Sequence, residues 1–198
     1  MPGFWGFIGI VALVVVFALL WMIGAYNSLV SLRNRFRTAF SQIDVQLKRR
    51  HDLIPNLIET AKGYLAHEKG TLEAVTEARN KAVSAMQATS NPASASAMAG
   101  LAAAESQLSG SLGRLFAVAE AYPDLKANQN MLALQQELAS TENQIASARQ
   151  MFNASVMSYN TTIESFPTNL VANAMGFAPA QLFELETEKE RQAPQVSF

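Results

Sequence analysis

The sequence holds two histidines, His51 and His67, and no cysteine. Thiol catalysis, disulfides and thiolate metal sites are therefore excluded. The histidines stand sixteen residues apart, not at the three- or four-residue spacing that would put two ligands on one helix face, so they predict no metal site. No glycine-rich phosphate loop, nucleophile elbow or HExxH helix occurs, and the carboxylates are spread as on ordinary helix surfaces. No catalytic residue, cofactor site or metal site is assigned, and the expectation is a protein that is not an enzyme.

Two polar rows do have a helical period. Arg49, Asp52, Asn56 and Glu59 follow one another at steps of three, four and three, opposite Leu47, Ile54, Ala61 and Leu65. They read as a solvated face or as a row that binds a partner. Asn128, Gln135, Glu142 and Arg149 recur every seven residues beside an apolar seam, where side chains fix helix register through cross-helix hydrogen bonds and ion pairs.

The elements that must carry these rows begin at the N-terminus. Residues 4–25, FWGFIGIVALVVVFALLWMIGA, contain no charge and would rise about 33 Å as a helix, enough for a hydrocarbon core of about 30 Å. A signal peptide has a basic start and a shorter apolar core, so a retained anchor is expected. Arg33, Arg35 and Arg37 follow the span and no basic side chain precedes it. The positive-inside rule then puts residues 1–3 outside the cell inner membrane, makes the protein single-pass, and puts residues 26–166 in the cytoplasm. Residues 1–50 hold six basic and one acidic side chain and the remainder nine and fifteen. A basic collar beside an acidic body argues for anionic lipid as partner and against nucleic acid.

Beyond the span the apolar positions Leu29, Leu32, Phe36, Phe40, Ile43, Leu47, Ile54, Leu57, Ile58, Ala61 and Leu65 keep one helical phase across Pro55, predicting a helix kinked there rather than ended. Asn91 and Pro92 predict a helix start, followed by an alanine-rich helix over 92–122 that Pro123 and Asp124 close. A helix over 125–165 then repeats Met131, Leu138, Ile145, Phe152, Tyr159 and Phe166 at intervals of seven, as in bundles and coiled coils. If the chain turns at 66–70, the first soluble helix and the last match at about 58 and 61 Å. The fold expected is all-α: a transmembrane helix continuing into an antiparallel bundle of long helices, four in preference to three. Four would return the chain to the bilayer, so that in the closing segment 167–198 the residues Leu170, Val171, Met175 and Phe177 touch lipid, the collar or a neighbouring subunit, or merely cover one end of the bundle.

Three stretches resemble the LemA family: RRHDLIPNLIETAKGYLAHEKGTLEAVTEAR at 49–79, AEAYPDLKANQN at 119–130 and STENQIASARQMFNASVMSYNTTIESFPTNL at 140–170, with PQVSF at 194–198. The likeness runs over essentially the whole chain and implies a membrane-anchored helical bundle with no established catalytic activity or cofactor. It marks Asp52, Pro55, Asn56, Glu59, Tyr122, Pro123, Lys126, Asn128, Thr141, Glu142, Arg149, Tyr159 and Asn160, none with a transferable role. Relatives linked to membrane organisation and membrane-protein quality control suggest two functions. One is a scaffold, a homo-oligomer assembled through its long helices; the other is an adaptor for a membrane protease or another inner-membrane protein partner.

Overall fold

The apolar run and the amphipathic stretch behind it form one helix without a break. In the computed structural model, which describes residues 2–184, α1 extends over Pro2–Lys62 with Pro55 inside it. Near its start an 18-residue window of mean hydropathy 2.8 is 0% buried, so this stretch is covered by none of the other described residues. It is long and apolar enough to cross a membrane.

The chain reverses over residues 63–68, with Leu65 fully buried under the end of the bundle, and α2 runs over Lys69–Ala88. The expected turn is present but starts earlier, at Gly63, while Gly70 lies inside α2. Next come α3 (Ala95–Ala119), the single turn α4 (Pro123–Lys126), α5 (Gln129–Glu164) and the short α6 (Thr168–Ala174). Four long helices thus make the bundle, with two short ones added.

Asn91 does not cap α3, contrary to expectation. Its side-chain oxygen accepts the Ala93 N–H at 3.1 Å inside a turn, and Ser94 is the cap, accepting the Ala97 N–H at 3.4 Å. Serine and asparagine cap about equally well. Pro92 is buried in that turn, which delays the helix to Ala95.

Helix α5 lies antiparallel along α1, and α2 lies along α3. Phe36 packs its ring against Phe152 and Tyr159, with centroids 6.4 and 5.1 Å away, and Phe40 stands 5.7 Å from Phe152. Met131, Leu138, Ile145, Phe152 and Tyr159 are all buried, so the seven-residue repeat is consumed within one chain. Its next member, Phe166, is 80% exposed.

Past α6 the chain turns at Gly176, whose φ of 71° favours glycine, and residues 177–184 return along α5 without helix. Two asparagines of α5 hold this strap. Asn160 accepts the Ala180 N–H and donates to the Ala180 carbonyl, both at 2.9 Å. Asn153 does the same for Phe183, at 2.9 and 3.2 Å. The spacing is commensurate: seven helical residues rise about 10.5 Å, and three extended residues span about 10 Å. Tyr159 donates to the Ala178 carbonyl at 3.0 Å. Burial pushes its phenol above the ordinary tyrosine range, against the opposing pull of Arg33 and Arg37.

Replacing Asn160 by alanine removes both bonds to Ala180 and should cost about 1–3 kcal/mol. Hydrogen exchange of the full chain in detergent should show the Ala180 amide accelerated and the α2 and α3 amides unchanged. A protected Ala180 amide in that variant would mean that apolar contacts alone hold the strap.

Candidate functional site

The core comes in two blocks that share no residue. One gathers Leu29, Phe36, Leu47, Leu101, Ile145 and Phe152, the other Ile54, Leu57, Leu65, Leu108, Leu115 and Leu138. Between them lies a layer of polar side chains to which each long helix contributes.

The seam of α1 passes from Leu47 to Ile54 through His51, that of α3 from Leu101 to Leu108 through Glu105, and that of α5 from Leu138 to Ile145 through Thr141. All three polar residues are 1% exposed. The His51 imidazole Nε2–H donates to one Glu105 carboxylate oxygen at 2.7 Å. Arg50 lies 3.4 Å from the other oxygen, donates to the Ser109 hydroxyl at 2.7 Å, and reaches Glu142 of α5 at 3.2 Å. His51 Nδ1 is buried with no hydrogen-bond partner among the described residues. A carboxylate taken out of water is tolerable only when charges and donors surround it, and here an arginine and a histidine do so.

From α2, Arg79 donates its Nε–H to the backbone carbonyl of His51 at 3.2 Å. That carbonyl is the one Pro55 leaves without a helical donor, since residue 55 would supply the N–H and proline has none. Helix α1 therefore continues through Pro55 with its missing bond replaced from the neighbouring helix. Chemically the layer pairs acid with base inside packed helices, so it sets register rather than exposing a reactive group. A one-turn slip of α3 along α1 would move Glu105 by about 5.4 Å and break both pairs.

The residues singled out from sequence are dispersed. Arg49, Asp52, Asn56 and Glu59 are all exposed. Arg49 forms an ion pair with Glu137 of α5, and Glu59 lies 3.6 Å from Lys62. Asn56 borders an open groove between α1 and α5 with Thr60, Asn130, Leu134 and Glu137. Of the row beside the α5 seam, Glu142 makes a cross-helix ion pair through Arg50. Asn128 instead caps α5, accepting the Asn130 and Met131 N–H groups, and donates to the Tyr64 hydroxyl at 3.1 Å. Gln135 and Arg149 are half-buried. In the collar, Arg35 and Arg37 are exposed, while Arg33 lies over the Phe177 ring, 5.0 Å from its centroid. Leu170 and Met175 are exposed; Val171 and Phe177 are buried in the core.

Sequence reasoning passed over Arg50, Glu105 and Arg79, and weighed His51 only as a metal ligand. One signal was present: Glu105 is the sole charge in residues 82–113, and it sits on the α3 seam.

These features define a class, an antiparallel four-helix bundle grown directly from a helix that is long and apolar enough to cross a membrane. The chain belongs to the LemA family, whose family model matches residues 39–198. The match begins beyond the apolar segment, so it covers the bundle and the C-terminal part rather than the whole length. No curated protein matches the chain. Among the residues that the resemblance marks, Thr141 and Glu142 belong to the polar layer, and Tyr159 and Asn160 hold the strap.

Replacing Arg79 by methionine should destabilise the protein by about 1–3 kcal/mol, the cost of an orphaned buried carbonyl. In a Pro55→Ala background residue 55 can donate to His51, and the same replacement should cost close to nothing. Thermal unfolding of the four proteins of this double-mutant cycle measures the coupling; additive losses would refute the compensation. Glu105→Ala, which takes the partner from the buried His51 and leaves Arg50 only Glu142 and Ser109, should cost about 1–3 kcal/mol, and the triple variant Arg50→Met, His51→Leu, Glu105→Leu should recover most of it.

Proposed function

We propose that this protein is a non-enzymatic scaffold anchored in the cell inner membrane. Residues 4–25 span the bilayer with the N-terminus outside, and the bundle stands in the cytoplasm as a rigid post. The observation that carries this reading is the unbroken α1, which joins the apolar segment to the bundle with no linker. Such mounting fixes height: counted from residue 25, Arg49 stands about 36 Å and Glu59 about 51 Å farther along the helix. Arg49, Asp52, Asn56, Glu59 and the groove beside Asn56 form the face offered to a partner, and the arginine collar meets anionic headgroups. Copies that self-assemble do so through outward faces, because the seven-residue seam is filled within each chain.

The adaptor reading, with one membrane-protein partner on the Asn56 face, is favoured by the groove between α1 and α5. A photo-crosslinking residue at position 56 of the full chain in cells separates the two. Mainly self-crosslinked species support the self-assembling scaffold, and one dominant foreign band supports the adaptor. If position 56 gives no crosslink while a control position in the apolar segment does, this face is not where partners bind.

A further inference from the structure

Three large apolar side chains lie bare at the end of the bundle from which the apolar segment emerges. Phe166 is 80% exposed, Leu170 60% and Met175 52%. They are not the product of a loose end. Val171, Ala172 and Phe177, interleaved with them, are buried in one core block with Leu29 and Ile163. Helix α6 is thus pinned by one face and bare on the other.

Its level along α1 is fixed by two contacts of Phe177. The ring meets Tyr26 edge-on at 5.7 Å, and the Arg33 guanidinium lies 5.0 Å from its centroid. Tyr26 is the first residue after the apolar run 4–25, and that run rises about 33 Å as a helix, enough to cross a hydrocarbon core of about 30 Å. The first turn beyond it lies among the headgroups, where tyrosine rings collect.

We propose that α6 and the Phe166 corner form an interfacial foot. Phe166, Leu170 and Met175 seat in the headgroup and upper acyl layer of the bilayer that α1 crosses, giving the bundle a second hold on the membrane. The inference rests on the anchoring proposed above. Lipid is the occupant because the bare residues sit level with the end of an equally bare lipid-length helix, and because Arg33, Arg35 and Arg37 lie within two to three turns of the same level to meet anionic headgroups. A second copy would have to reach them inside the headgroup layer.

The chain has no cysteine, so single labelling sites can be placed freely. Full-length Phe166→Cys, Leu170→Cys and Met175→Cys, each carrying an NBD fluorophore, are reconstituted in phosphatidylcholine–phosphatidylglycerol vesicles with spin-labelled lipids. Leu13→Cys and Leu132→Cys serve as controls for the span and the far end. The three foot positions should emit to the blue of position 132. They should be quenched severalfold more by a label near the headgroup than by one at the acyl-chain end, with the order inverted at position 13. Quenching at 13 with water-like emission at 166, 170 and 175 overturns the foot and leaves the anchor intact. Foot probes shielded from aqueous iodide yet untouched by either lipid label overturn it in favour of a second copy. If position 13 is quenched by neither lipid label, the anchor itself fails, and the foot with it.

Discussion

One carboxylate holds the bundle in register. Glu105, brought into the core on α3, accepts from His51 and lies beside Arg50, both on α1, and Arg50 reaches on to Glu142 of α5. Leucine seams alone tolerate sliding by a turn, because one apolar contact resembles the next. A buried charge does not, since leaving it unpaired costs several kcal/mol. The position of the polar layer between the two apolar blocks therefore decides which leucines face which. Through Arg79 it also ties in α2, at the point where Pro55 would otherwise weaken α1.

Much of this was legible in the residues. The uncharged run and the three-four spacing of Leu29 to Leu65 described α1 and ran a few residues past its end at Lys62, and matched lengths argued for the reversal that makes four long helices. Boundaries were harder to read, because Asn91 and Ser94 are both good caps and only the burial of Pro92 in its turn decides between them. The polar layer was hidden for a different reason. His51, Glu105 and Thr141 each stand where a helix seam skips seven residues, and such a gap reads as a tolerated interruption until three helices are laid together and the gaps coincide. Nor could helical periodicity show that Asn153 and Asn160 would grip a strap, since those bonds run to backbone atoms far along the chain.

Packing also bears on where contact with other molecules can occur. A seven-residue repeat suggests a seam open to another chain, yet here Met131 to Tyr159 are filled by α1 and the rest of the bundle. Along the bundle the exposed apolar side chains Val45, Leu132, Met151 and Met157 are scattered among polar ones, whereas Phe166, Leu170 and Met175 gather at its base. The two regions differ in kind: the Arg49 to Glu59 row suits a hydrated protein surface, whereas Phe166, Leu170 and Met175 suit the boundary of a lipid layer.

The absence of any joint between residue 25 and Lys62 has a mechanical consequence. Membrane helices tilt by about 20° on average to match local bilayer thickness, and a stiff arm of about 55 Å rotated through that angle carries its tip about 19 Å sideways. Under the anchoring proposed here, a change in bilayer thickness would swing the far end of the bundle across the membrane surface like the needle of a gauge. A second hold at the base would set how freely that needle moves.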